Sequence, residues 1–168
     1  MRFSIFSLSV LVQGCLLLLL SASLLCAAPL TVHVAPFAPG SASPVLAEAL
    51  FDGFVDQLDS DGPAQGISVE LIKVSPAEVD PKWLARQNWI EGSIVAYVED
   101  SGCCATQFQV QARLQSHMAD GASFAPLELR DETFFNHDLT TLAAEQVVVG
   151  DRLGRLLAVR WLQSQASR

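Results

Sequence analysis

Basic residues are scarce in this 168-residue chain: 10 Lys and Arg stand against 18 Asp and Glu, a formal net charge of −8. A chain this acidic offers no basic patch for phosphates, so nucleic acid is excluded as its main partner. The signatures of several enzyme classes are missing too. There is no HExxH or two-cysteine zinc spacing, no Cys-x-x-Cys, no GxSxG elbow and no Gly-rich phosphate loop. No internal repeat or low-complexity linker divides the chain, and its length allows one folded domain. No cofactor is implied, and no catalytic or metal-ligating residue is assigned.

Charge is absent altogether between Arg2 and Glu48. Residues Phe3 to Leu25 are almost continuously apolar, and a basic start followed by an apolar run and small residues is the pattern of an export signal. Residues 1–28 therefore read as a signal peptide or membrane anchor. Cleavage fits Cys26-Ala27-Ala28 or Ser21-Ala22-Ser23. Cys26 is a candidate lipidation site, although Leu25 stands where a lipobox has Gly or Ala. Cys15 follows Gly14 but precedes five leucines. An uncleaved anchor is the third reading, since about 20 apolar residues span a bilayer. All three place the folded part outside the cytoplasm, periplasmic or anchored facing the periplasm.

The remainder, 29–168, reads as a single α+β domain. Leu30 to Phe37 is β-branched and apolar, a strand ended by Pro36 and Pro39-Gly40. Ser43 can cap a helix with Pro44 at its first position. Leu46, Ala49, Leu50, Phe54 and Leu58 recur at three-to-four spacing, predicting an amphipathic helix to about Gln57, stopped by Asp59-Ser60-Asp61-Gly62-Pro63. A second strand alternates from Ile67 to Val74. Ser75 and Glu78 have capping-box spacing ahead of a short helix that Pro81 interrupts or restarts. Trp89 to Glu99 forms a third strand, with Asp100-Ser101-Gly102 as its hairpin turn.

Phe108, Val110, Ala112 and Leu114 alternate with Gln107, Gln109, Gln111 and Arg113, which predicts an antiparallel strand with one wet face. A fifth strand falls around Leu127 to Phe134. Asp138 would cap the last helix, with Leu139, Leu142, Val149, Leu153, Leu156, Leu157 and Trp161 as its buried stripe. Gly150 and Gly154 lie four apart for close packing against the sheet. The order β-α-β-(α)-β-β-β-α predicts a two-layer sandwich, a mainly antiparallel sheet with helices on one face.

Cys103 and Cys104 are a candidate disulfide pair. Adjacent Cα atoms lie about 3.8 Å apart, below the usual disulfide span of about 4.4–6.8 Å, so a vicinal bridge is strained but tolerable beside a turn. A structural role, a bond to another chain and a soft metal are the alternatives. His33, His117 and His137 read as solvated or hydrogen-bonded. His137-Asp138 could orient a base but has no nucleophile motif beside it. Asp52, Asp56 and Asp59 form the wet face of the first helix or an acidic docking patch. An exposed Trp83–Trp89 pair would mark a recognition surface.

Val32 to Phe37, with its Val-x-x-Phe pattern, then Leu46 to Phe54, and Trp89-Ile90-Glu91-Gly92-Ser93-Ile94-Val95 resemble the TolB amino-terminal-domain-like and CsgG/LpoB-like envelope proteins. The resemblance implies a non-enzymatic module, often lipid-anchored, that binds other envelope proteins. Here the lipobox is poor, and the Cys103-Cys104 pair is foreign to that pattern. Auxiliary lipoproteins of lipid-transport ABC systems have a similar layout. The expected function is an exported accessory protein docking onto envelope proteins in assembly or transport, tethered to the membrane through its amino terminus or free. A small periplasmic hydrolase or redox enzyme using His137-Asp138 or the cysteine pair is the alternative. Oligomeric state is left open.

Overall fold

The computed structural model describes residues 29–122 and 124–167, so the expected leader, its candidate cleavage sites and the candidate lipidation site Cys26 lie outside the described residues. Strand β1 (Leu30–Val34) leads to helix α1 (Pro44–Asp61) and strand β2 (Ile67–Leu71). The short helix α2 (Pro81–Leu84) precedes three long strands, β3 (Trp89–Ser101), β4 (Ala105–His117) and β5 (Leu127–Asn136), and helix α3 (Leu142–Ala166) closes the chain. The five strands form one sheet in the order β2-β1-β3-β4-β5. β1 is parallel to both of its neighbours; β3, β4 and β5 are antiparallel. This is the α+β two-layer sandwich that the element order predicts, with α1 and α3 side by side on one face.

Apolar periodicity explains which face is which. Phe108, Val110, Ala112 and Leu114 of β4 point into the core with Val32, Val34, Ile90 and Ile94, against Leu46, Leu50, Phe54 and Leu58 of α1 and Val149, Leu153 and Leu157 of α3. Burying each large aliphatic or aromatic side chain favours folding by about 1.5–3 kcal/mol, before the entropy of ordering it is subtracted. A smaller cluster of Ala35, Ile72 and Leu84, bordered by Val79, Trp83 and Trp89, forms apart from that core.

Several element boundaries differ from the sequence expectation. α1 runs through Asp59-Ser60-Asp61, because these polar residues face solvent and Gln57 donates to Asp61 Oδ2 at 2.6 Å. The chain leaves helical geometry only after the 3₁₀ turn Gly62–Gln65, at Gly66 with φ 70°. β2 stops at Leu71, which is exposed, while Ile72 is buried and donates to the Val34 carbonyl. Ser75 caps through its hydroxyl, but only a 3₁₀ turn (Pro76–Glu78) follows. Asp80 then caps α2, with Pro81 starting it.

Thr141, not Asp138, caps α3. Asn136 holds the intervening residues in a separate turn, its side chain accepting from the Asp138 N–H and its carbonyl from Leu139 and Thr140. Leu139 consequently leaves the expected stripe and is 84% exposed. Leu156 also lies outside it, about half exposed.

The glycines of α3 pack on α1 rather than on the sheet. A Cβ on Gly154 would lie 2.2 Å from the Leu50 carbonyl oxygen, and one on Gly150 2.8 Å from the Ala49 Cβ. Gly53 faces back, where a Cβ would meet the Asp151 backbone at 2.4 Å. Three glycines thus let two helix backbones approach closer than any side chain permits.

Candidate functional site

Chain geometry at the far end of the β3–β4 hairpin is set by one extra residue. The register shifts between Ile94 and Ala96, a bulge of the kind that re-aims the strand beyond it. Before the bulge, Trp89, Glu91 and Ser93 lie opposite His117, Gln115 and Arg113. Beyond it, Tyr97, Glu99 and Ser101 lie opposite Val110, Phe108 and Thr106, on the face that carries the helices.

These re-aimed residues form a chain of side-chain hydrogen bonds. The Ser43 hydroxyl donates to Gln146 Oε1 at 2.7 Å, and Gln146 Nε2 donates to the Tyr97 oxygen at 2.9 Å. Tyr97 donates in turn to Glu99 Oε2 at 2.7 Å, and Ser101 donates to Glu99 Oε1 at 2.9 Å. Ser101 and Thr106 are 3.0 Å apart, and Thr106 Oγ1 lies 2.8 Å from His137 Nε2. Burial, followed by the hydrogen bond to Glu99, pushes the Tyr97 hydroxyl up to about 12. Gln146 is itself buried, on a helix otherwise apolar on that side. It holds the cap of α1, α3 and the hairpin together. The sequence reading missed this network, whose one local trace is Ser43 at a cap position.

Cys103 and Cys104 occupy the hairpin tip. Ser101 pairs with Thr106, and the Gly102 N–H donates to the Ala105 carbonyl at 2.8 Å, so the cysteines are the two central residues of the turn. The turn therefore sits later than Asp100-Ser101-Gly102, both Asp100 and Ser101 being paired in the ladder. The two thiols are free and exposed, with their sulfurs 3.2 Å apart. The His137 N–H donates to the Cys104 carbonyl at 3.0 Å, so the structure brings His137 to the base of the tip. The Asp138 carboxylate makes no hydrogen bond to that ring, whose Nε2 is engaged by Thr106.

The other histidines are held separately. His33 is buried, edge-on to Trp83, with Nε2 3.2 Å from Gln87 and Nδ1 3.5 Å from Glu70. His117 stacks on Trp89 and lies 3.0 Å from Glu91. Trp83 and Trp89 are thus half-buried partners of histidines rather than an exposed pair, and Trp161 is buried, donating to Ser116. Among the described residues no cluster of three or more His, Cys, Asp or Glu side chains is placed to hold a metal.

Asp52, Asp56 and Asp59 are exposed on α1, where Asp56 meets Arg155 at 3.5 Å. The Asp52 carboxyl is pushed up by partial loss of hydration and then by Glu48 and Asp56.

The face of β4 and β5 away from the helices is a polar lattice. Gln107 and Gln109 donate to Glu132; Gln111 and Arg113 donate to Glu128, the latter at 2.7 Å; Arg130 reaches Gln109. The Arg113 guanidinium, then the Gln111 amide, holds the Glu128 carboxyl below its ordinary value. Phe134 stands at one end of this lattice, 71% exposed. Beside β1, the strap Pro36 to Gly40 runs along β3, its Ala38 exchanging backbone hydrogen bonds with Gly92 and Ile94. The Phe37 ring lies over Gly92, where a Cβ would approach it to 2.5 Å.

No family model matches the chain, and no curated protein matches it in sequence. The fold has counterparts among solved structures. One is the PelC dodecamer from Paraburkholderia phytofirmans, with a TM-score of 0.51 at 14% identity over 77% of this chain and 88% of that one. Another is the hypothetical protein CT253 from Chlamydia trachomatis, with a TM-score of 0.51 at 13% identity over 79% of this chain and 95% of that one. Lipoprotein GNA1162 from Neisseria meningitidis superposes less well, with a TM-score of 0.48 at 12% identity over 82% of this chain and 99% of that one. At these identities the likeness is one of fold, and none of the three is described as TolB-like or CsgG/LpoB-like.

Proposed function

We propose that this protein is an exported accessory domain of a bacterial cell envelope, working by docking onto other envelope proteins rather than by catalysis. The observation that carries this reading is the open outer face of β4 and β5. A row of Gln, Glu and Arg side chains lies there without a covering element among the described residues, beside the free edge of β5. A pre-ordered polar lattice flanked by one exposed aromatic suits a polar, wet protein–protein interface. The apolar leader at residues 1–28 supports export or anchoring. The His137 ring is engaged with the buried Thr106 hydroxyl and makes no hydrogen bond to the Asp138 carboxylate, which supports a non-catalytic reading of that pair.

A photo-crosslinking side chain at Gln109 tests this reading in envelope-bearing cells, with Asp59 on α1 as the comparison site. Discrete adducts from position 109, in membrane or periplasmic fractions, are expected. A protein that fractionates wholly with the cytosol, or that gives no adduct from position 109, overturns the proposal. The PelC structure is described as a dodecamer, which favours self-association as a second reading. An adduct that contains two copies of this chain would identify it.

A further inference from the structure

We infer that Cys103 and Cys104 are a redox-active dithiol that closes to a vicinal disulfide by exchange with an external disulfide. Four features of the tip point this way. The thiols are the two central residues of a turn, so no other backbone shields them. Their sulfurs lie 3.2 Å apart on the same side of the turn, so an approach of about 1.2 Å reaches the bonded distance of about 2.04 Å. The turn is clamped on both sides, by Gly102 to Ala105 and by His137 to Cys104, which limits the freedom lost on closure. Beneath it, Ser101, Thr106 and His137 form a hydrogen-bonded base at the foot of the turn.

Exposure and strain together distinguish this pair from a structural disulfide. Adjacent cysteines must bend the intervening peptide to close the ring, and strained or exposed disulfides have the more oxidising potentials of labile bonds. Both thiols are exposed at the tip, so either can open the exchange. With Cys103 first, its thiolate attacks one sulfur of the external disulfide, forming a mixed disulfide and releasing one thiolate. Cys104 then loses its proton and attacks the Cys103 sulfur, forming the Cys103–Cys104 bond and releasing the second thiolate. Two thiols of this chain are oxidised, one external disulfide is reduced, and the two protons end on the released thiols. The inference is independent of the docking reading.

Purified protein equilibrated with oxidised and reduced glutathione, quenched with acid and weighed intact, tests it. The expected product is a monomer lighter by two hydrogens, with the loss mapped to the peptide holding both cysteines and reversed by reduced glutathione. A Cys104→Ser variant should instead keep a glutathione adduct on Cys103. The inference is overturned if wild-type protein stays reduced at the most oxidising ratio, accumulates stable glutathione adducts or disulfide-linked dimers, or if C104S acquires no adduct.

Discussion

The indole of Trp89 and the imidazole of His117 lie face to face across the β3–β4 ladder, ring centroids 4.0 Å apart and planes 9° from parallel. The two residues are direct partners in the register, and Glu91 reaches the His117 Nε2 at 3.0 Å. Cross-strand pairs of this kind stabilise a sheet locally. A double-mutant cycle between Trp89→Ala and His117→Ala, followed by urea unfolding, should give a coupling of about 0.5–1.5 kcal/mol. Strict additivity would show that the stack contributes nothing beyond burial.

Gly154 is where the helix pair is least forgiving. Alanine favours a helix interior over glycine by about 1 kcal/mol, so G154A would stabilise α3 if the site were open. Its Cβ would instead press on the Leu50 oxygen at 2.2 Å and the Phe54 nitrogen at 2.7 Å. The clash should dominate and lower stability by about 1–3 kcal/mol. A midpoint in urea equal to or above wild type would contradict the close crossing.

Tyr97 is the sole tyrosine of the chain, so tyrosinate absorbance reports it without ambiguity. Its hydroxyl is pushed from 10.0 up to about 12, by burial first and by Glu99 next. In the Glu99→Gln variant the Glu99 contribution disappears, and titration should move down while staying above the unfolded value, because burial persists. The linked stability has a definite sign. The neutral form is favoured in the folded state, so this contribution is complete below about pH 10 and is lost as pH rises towards 12. Unfolding curves across that interval should weaken less steeply in E99Q than in wild type.

Glu128 provides the opposite sign. Arg113 and Gln111 hold its carboxyl below the usual range, so the pair contributes above the unfolded carboxylate value and its contribution is lost on acidification. Arg113→Ala should raise the Glu128 titration point, read by side-chain NMR. Added salt should reduce the difference between the two proteins, as for an exposed ion pair.

Local periodicity carried much of the architecture. The two-residue repeat from Gln107 to Leu114 placed Phe108, Val110, Ala112 and Leu114 on one side, and all four are buried. Leu46, Leu50, Phe54 and Leu58 likewise marked the inner stripe of α1. Such patterns are legible because each side chain's face follows from its spacing along a single element. The position of the cysteine pair near a turn followed from the flanking strands.

Other features depend on which elements meet. Parallel pairing of β1 with both β2 and β3 is not written in any one strand, nor is the packing of Gly150 and Gly154 on α1. The extra residue near Val95 reverses the facing of Tyr97, Glu99 and Ser101, and no local repeat announces it. Ser43 and Gln146 are separated by 103 positions, Tyr97 and Gln146 by 49. By itself, then, the sequence determined the class of the main segments and, where the repeat is unbroken, the side each would bury, because those are properties of neighbours along the chain. Only the tertiary structure decided the strand order, the helix crossing and the polar chain from Ser43 to His137. Those depend on volumes that must fit and donors that must be satisfied between residues far apart in sequence.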